Sequence, residues 1–453
     1  MDPLGLYVSI PFCRAKCTFC NFASDAFAPG RLPLYVDQLC AEIASAHTRA
    51  SSLNAHLPAQ AETQAGTQAK TQVESPVDTL YFGGGTPSLL APADIRRIFT
   101  VLRQQFLFAA APEITVECAP GQLSPAALDE LQRQGVNRLS FGVQSFVDRE
   151  SAAIGRLHTA RQCLEEIERV RSSGVPNLSL DLIAGLPHQT EASWRHSLEQ
   201  AVSIGVPHIS VYMLEVDNGS RLGRELLSEG ARYGASTAPT DDQTAAFYEI
   251  ACDLLNSSGV AQYEISNFAR PGFRSLHNLK YWQRQPYLGF GLDAHSMLRT
   301  PAGDIRFSNT DDLDTYLSDT RLPPPAPSLS REAKSREANS KEANRREATS
   351  RQANSLKLLT PARSPTPAID RLTPEEIFEE TLFLGLRLND GIDLDNLRAA
   401  FGFEAVDHLI PTLNEAASDG LLDVHQRTIR LTALGRVLSN ELFSRLLLPA
   451  AAT

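Results

Sequence analysis

Three cysteines, Cys13, Cys17 and Cys20, follow the apolar run Leu6-Tyr-Val-Ser-Ile10 with the spacing C-x3-C-x2-C. Thiolates are soft ligands, and three so close together point to a metal centre. A structural zinc site takes four protein ligands, and a four-iron cluster is ordinarily held by four cysteines. Three leave one position open, where a centre could bind and activate a small molecule. An iron–sulfur cluster with one free iron is the favoured reading. Zinc completed by a distant His or Cys stays open as the alternative. Cys40, Cys118, Cys163 and Cys252 show no ligand spacing and read as small buried hydrophobes. Seven cysteines, with no secretory signal, argue against disulfides.

Further polar residues fall where strand-like runs end. Gly83-Gly-Gly-Thr86 removes three Cβ atoms and lets backbone amides approach a ligand. Glu117 and Gln144 each close a run, and Asp181 lies in another, ahead of Gly185-Leu-Pro187. In parallel α/β architectures, sites form at the carboxyl ends of strands. Thiolates, bare amides, carboxylates and a side-chain amide would therefore share one rim.

The elements that must carry this rim are readable. Strands are expected at Leu6–Ile10, Thr79–Phe82, Glu113–Glu117, Arg138–Gly142, Leu178–Ala184 and His208–Met213, with helices near 33–46, 92–107, 124–134, 160–173 and 190–204. Ser124 and Thr190 look like helix starts, and Gly135 and Gly174 like helix stops. Six strand-then-helix units predict an α/β fold with a parallel sheet and right-handed crossovers. Periodicity does not choose between an open sheet and a barrel. Residues 1–225 would form this unit, with a disordered Ala/Gln/Thr-rich insert at 47–75, and 226–320 would extend it. Residues 321–370, with five pentapeptides such as Arg336-Glu-Ala-Asn-Ser340, read as a linker. Residues 371–453 read as a winged-helix-like domain: a capped start at Thr373-Pro-Glu-Glu, a helix over Ile410–Asp419, then a hairpin.

Bulk properties narrow the function. A formal charge of −11 disfavours nucleic acid as a partner. The last domain is acidic as well, with thirteen Asp/Glu against six Arg in residues 372–450. No apolar run approaches the ~18 residues of a membrane span. The expected location is the cytoplasm, where thiols stay reduced.

Tyr7-Val-Ser-Ile-Pro-Phe-Cys13 with its cysteines, Gly83-Gly-Gly-Thr-Pro-Ser88, Glu117, Phe141-Gly-Val-Gln-Ser-Phe146, Gly155-Arg-Leu-His158 and Asp181-Leu-Ile-Ala-Gly-Leu-Pro187 together resemble the radical S-adenosylmethionine superfamily. More narrowly, they resemble the oxygen-independent coproporphyrinogen III oxidase family. The likeness covers about 5–46, 76–315 and 370–448. It implies an incomplete (β/α)6 barrel and a [4Fe-4S] cluster on Cys13, Cys17 and Cys20. It also implies S-adenosylmethionine bound by Gly84, Gly85 and Thr86, with Tyr7, Phe19, Glu117, Gln144, Arg156 and Asp181 around its adenosyl, ribose and carboxylate groups. An electron donor such as a flavodoxin or ferredoxin would drive cleavage of that ligand to a 5′-deoxyadenosyl radical. Ser9 stands where the family usually has His, on the strand face that Tyr7 shares.

The family divides into oxidases and heme chaperones of the HemW type. Oxidases resemble C-x3-C-x2-C-x-C, whereas position 22 here is Phe22. The chaperone branch resembles H-N-x-x-Y-W, and this chain has His277-Asn278-Leu-Lys-Tyr281-Trp282. Heme needs an axial ligand and flat aromatic surface, so His277, Asn278, Tyr281 and Trp282 are its expected contacts. A buried histidine that orders the loop beside Tyr263-Glu-Ile-Ser-Asn267 is the alternative for His277, and His295 is expected to pack. The chain is thus expected to bind heme and deliver it to an acceptor protein, including a membrane-associated one. Coproporphyrinogen III oxidation is the rival function.

Overall fold

The computed structural model describes residues 2–28, 30–57, 76–319 and 369–446. Strands and helices alternate as β1 (Leu4–Ile10), α1 (Arg31–Ala44), α2 (Ala46–Ser52), β2 (Val77–Gly84), α3 (Pro92–Gln105), β3 (Phe108–Cys118), α4 (Pro125–Arg133), β4 (Arg138–Gln144), α5 (Asp148–Ala153), α6 (Ala160–Ser172), β5 (Asn177–Ala184), α7 (Glu191–Ile204) and β6 (His208–Met213). The six strands lie side by side in chain order, each parallel to its neighbour. This is the incomplete (β/α)6 barrel that the resemblance implies.

Local signals set the helix ends. The Ser124 hydroxyl accepts from the Ala127 amide, and Thr190 forms a capping box with Ser193. Gly135 and Gly174 take φ of +78° and +92° just past their helices, where a side chain would be strained.

Alternation within the strands separates core from site. Leu6, Val8 and Ile10 of β1, Leu80 and Phe82 of β2, Val116 of β3, Leu139 and Phe141 of β4, Leu180 and Leu182 of β5 and Ile209 and Val211 of β6 are buried in one hydrophobic layer with Leu39, Ile98, Leu128, Ile167 and Leu198 of the helices. The intervening residues face inward, and they are largely polar.

Downstream come α8 (Arg221–Leu227), α9 (Asp241–Ser257), β7 (Ala261–Gln262), β8 (Asn267–Ala269), α10 (Leu276–Trp282), β9 (Tyr287–Phe290), β10 (His295–Thr300), β11 (Gly303–Ser308) and α11 (Leu313–Leu317). β8 and β7 extend the sheet past β6, while β9 pairs parallel with β1 and leads into antiparallel β10 and β11. Next are β12 (Asp370–Arg371), α12 (Pro374–Leu386), β13 (Ile392–Asp393), α13 (Leu394–Phe401), α14 (Phe403–Ser418), β14 (Leu422–His425), β15 (Thr428–Leu431), α15 (Ala433–Val437) and α16 (Ser439–Arg445). β12 continues the large sheet beside β11, whereas β13, β15 and β14 make a small antiparallel sheet against α12–α14, the winged-helix-like arrangement. Thr373 caps α12 through a box with Glu376.

One boundary differs from expectation. The disordered insert was placed at 47–75, but α2 runs to Ser52, and Ala50, Ala55 and Leu57 are buried. Ala46 and Ala50 are one turn apart and bury a small-residue face, which polar composition alone conceals. Residues 58–75 and 320–368, including the pentapeptides, lie outside the described residues.

Candidate functional site

The inward faces of adjacent strands meet in register. Tyr7 is level with Tyr81, Glu117 with Ser140, Gly142 with Asp181, and Asp181 with Ser210. The Tyr81 hydroxyl donates to Glu117 Oε1 at 2.9 Å, and the Gly84 amide also donates to this carboxylate. Burial lifts Glu117 from 4.5 to about 7, and the nearby Asp181 charge adds to the rise. Asp181 is also raised by burial, although it accepts hydrogen bonds from Ser210 and from Ser140, the latter 3.2 Å from both oxygens. Two interior carboxyls thus share one apolar-backed chamber, and a cation placed there would let both ionise.

The cysteine loop follows β1 and is tied to three other segments. The Cys13 amide donates to Asp25 O at 3.0 Å, the Thr86 amide to Phe12 O at 2.9 Å, and the Thr18 amide to Ile154 O at 3.0 Å. All three thiols are free and part-buried. Each has its own polar neighbour: the Thr86 hydroxyl lies 3.7 Å from Cys13 Sγ, Arg156 Nη1 3.4 Å from Cys17 Sγ, and the Ser24 hydroxyl 3.7 Å from Cys20 Sγ. Burial pushes the Cys13 thiol up, and the other two thiols add to the rise. Among the described residues no three His, Cys, Asp or Glu side chains converge on one ion position. A cluster asks for no such convergence, since its irons are ligated one by one. Three soft sulfur donors beside a Cβ-free backbone fit a [4Fe-4S] group.

The glycine run serves packing as well as access. A Cβ on Gly85 would fall 2.8 Å from Ile10 O, Phe12 O and the Pro11 carbonyl carbon. Gly84 has φ +102°, and its added Cβ would meet Ser9 Oγ at 2.9 Å. β4 bulges between Gly142 and Gln144, leaving Gln144 at φ +68°, an unusual backbone state for a residue with a side chain. Arg156 donates to Gly142 O as well as to Cys17, and its buried Nε has no partner. Beside it, His158 is held near 4 by burial and the Arg156 charge, with Nε2 unpartnered. Phe19 packs against the satellite cluster of Ile154, Ile183, Leu186 and Leu222.

The histidine motif lies on α10, and its four residues diverge. His277 is buried, with Nδ1 hydrogen-bonded to the Thr79 hydroxyl (2.9 Å) and Nε2 to the Tyr281 hydroxyl (2.8 Å). Burial and the Lys280 charge push it down to about 3. The expectation of an axial ligand therefore meets an imidazole with neither nitrogen available, because it joins Thr79 of β2 to Tyr281 of its own helix. The Asn278 amide donates to the Ser275 cap at 3.4 Å, and Trp282 lies under the Arg387 guanidinium, 4.2 Å from its ring centre.

Tyr281 instead faces an open cleft of about 270 Å³ beside the cysteine loop, lined also by Tyr7, Ser9, Phe22, Ser24, Gly84, Tyr287, Asp293 and His295. His295, expected to pack, has a side chain 68% exposed. It heads β10, two residues after a left-handed Asp293. Sequence reasoning had also missed Tyr81, Ser140, Ser210 and Tyr287. The signal for the first three was present: each lies two or four residues along a strand from an inward-facing neighbour.

Comparison with known proteins identifies the family and the fold. Residues 7–201 match the radical SAM superfamily and residues 372–438 the HemN C-terminal domain. Heme chaperone HemW of Bacillus subtilis is 30% identical over 443 residues, spanning 97% of this chain and 98% of its own. That of Escherichia coli is 32% identical over 307 residues, 67% of this chain and 73% of its own. Among solved structures, the radical SAM coproporphyrinogen III oxidase HemN of Escherichia coli shares the fold, with a TM-score of 0.73 at 23% identity over 98% of this chain and 90% of that one.

Proposed function

Since the chain belongs to the HemW branch of the radical SAM superfamily, we propose that it is a heme chaperone that carries a [4Fe-4S] cluster and S-adenosylmethionine and hands heme to an acceptor protein. Cys13, Cys17 and Cys20 would hold the cluster, with one position left for S-adenosylmethionine. Gly84, Gly85 and Thr86 line the methionine portion, and Tyr7, Phe19 and Gln144 frame the adenosyl group. Glu117 and Asp181 are half-buried acids that a sulfonium ligand would pull into their ionised forms. Arg156, already beside Cys17 and with an unpartnered Nε, suits the ligand's carboxylate. When bound, cluster and ligand supply one-electron chemistry, with a flavodoxin- or ferredoxin-class donor as the source of the electron.

The observation that carries the chaperone reading over the oxidase is Phe22. The oxidase pattern has a fourth cysteine there; here an aromatic ring, 64% exposed, lines the cleft with Tyr7, Tyr281 and Tyr287. Such walls suit a planar porphyrin. α10 frames that cleft through Tyr281, while His277, Asn278 and Trp282 hold the helix in place. Among the described residues no helix is long and apolar enough to cross a membrane. The protein works in the cytoplasm and reaches its acceptor, membrane-bound or not, from there.

The test is anaerobic. Cluster-reconstituted protein given coproporphyrinogen III, S-adenosylmethionine and reductant should make no protoporphyrinogen IX. Heme-loaded protein should transfer heme to an apo-hemoprotein. Porphyrinogen turnover without transfer would overturn the chaperone reading.

A further inference from the structure

We propose that His295, which lines the same cleft as Tyr281 of the HNxxYW helix, is the axial ligand of the heme iron; this rests on the heme-chaperone reading above. Ferric heme takes an imidazole nitrogen that is neutral, accessible and held in a fixed direction. His277 is neutral and firmly held but fails on access, because it is buried with both nitrogens hydrogen-bonded. Releasing Nε2 to an iron would require Tyr281 to swing away and give up its hydrogen bond.

His295 has the access that His277 lacks. Its ring is 68% exposed and lines the cleft, and neither nitrogen has a hydrogen-bond partner among the described residues. The backbone beneath it is fixed. His295 pairs with Ser308 across β10 and β11, and its carbonyl lies so close to Gly289 that a Cβ there would be 2.3 Å away. Asp293 Oδ1 stands 3.8 Å from Nε2, beyond hydrogen-bond length but close enough to orient the ring. The Asp293 amide donates to Thr310 O at 2.9 Å, so that carboxylate is anchored at its main chain.

The remaining walls supply what a porphyrin plane needs. Phe22 projects from the cysteine loop, with Tyr281 and Tyr287 also lining the cleft. Tyr281 and Tyr287 pack edge to face at 4.7 Å, which holds both rings in place. Because Phe22 and Ser24 belong to the loop that carries the cysteines, heme on His295 would lie next to the cluster. In this way the loop residue that replaces the fourth cysteine becomes a heme wall, and the residue expected to pack becomes the ligand.

The experiment titrates hemin into the full-length protein and follows the Soret band, the ferric spin state by EPR, and affinity. Wild type should show an imidazole-ligated spectrum. His295→Ala should lose that signature and bind roughly tenfold or more weakly, and added imidazole should restore the spectrum, a rescue that a merely structural role would not give. His277→Gln, which keeps hydrogen-bonding atoms in the buried site, should retain imidazole ligation. An unchanged spectrum and affinity in His295→Ala, or loss of the signature in His277→Gln instead, overturns the assignment. Absence of any heme complex with wild type overturns the heme reading itself, so the two failures are distinguishable.

Discussion

Glu117 shows how a half-buried carboxyl can keep its proton close to neutral pH. Its carboxyl lies inside the barrel, satisfied by the Tyr81 hydroxyl and the Gly84 amide, yet burial and the Asp181 charge lift it from 4.5 to about 7. A folded-state value above the unfolded one means that the protonated form contributes stability. That contribution is complete below about pH 4.5, erodes as pH rises, and is gone beyond about pH 7. At about 1.4 kcal/mol per unit, the protein without its ligand gives up about 3 kcal/mol across this window. Glu117→Gln keeps an acceptor for both donors and has no proton to lose. Denaturant midpoints should therefore show the variant gaining on wild type from pH 4.5 to 7, with a constant gap above. A gap that does not change with pH would mean that the carboxyl titrates normally. Asp181 contributes the same trend to both proteins and cancels in the comparison.

At the scale of elements, the cysteine loop is shaped by the strand that passes beneath it. The Gly85 and Thr86 amides donate to Ile10 O and Phe12 O, both at 2.9 Å, so the end of β2 is zipped to the start of the loop. An added Cβ at Gly85 would strike backbone atoms of three consecutive residues, and backbone yields less than a side-chain tip. Gly85→Ala should cost about 1–3 kcal/mol and displace Cys13, so iron per chain after reconstitution should fall. Gly83→Ala should lose less, because its Cβ meets only the Glu117 and Tyr7 side chains at 3.1 Å. Normal iron loading in Gly85→Ala would refute this coupling. The six strand–helix units were legible in the sequence because alternation and caps such as Ser124 and Thr190 are local signals. Strands β7, β8 and β12 were not legible: they are two or three residues long, and β8 and β12 pair with neighbours distant in the chain. Barrel curvature leaves no periodic trace and came only from the resemblance. At the site, residue types at strand ends were readable, but the direction of a ring was not. His277 buries because Thr79 and Tyr281 converge on it, and His295 opens outward because β10 begins at the cleft's edge.

Across the whole molecule, the C-terminal module is joined to the barrel through the same helix that borders the cleft. Ile265, between β7 and β8, packs in the module's core, and its amide donates to Arg387 O at 3.2 Å. The Asn389 amide returns the link to Tyr263 O at 3.0 Å. Arg387 covers Trp282 and reaches Glu264 at 3.4 Å, while Arg284, two residues past Trp282, pairs with Asp304 and Glu380, each at 3.0 Å. Arg306 joins the same Glu380. Removing one partner from a buried pair leaves the other charge stranded, at a cost of about 3–5 kcal/mol. Glu380→Gln should fall near the lower end, because Arg284 keeps Asp304 and Arg306 is partly solvated. The loss belongs to docking rather than to the module's own core, where Phe378, Leu382, Leu413 and Ile429 are untouched. Hydrogen exchange should therefore quicken at the Ile265 and Asn389 amides, which bridge the two parts, while core amides of α14 keep their protection. Equal protection at both bridging amides in variant and wild type would show that Glu380 does not hold the module down. If docking does loosen, the cover over Trp282 goes with it, so under the proposed chaperone function heme affinity should fall in the same variant even though no residue lining the cleft has changed.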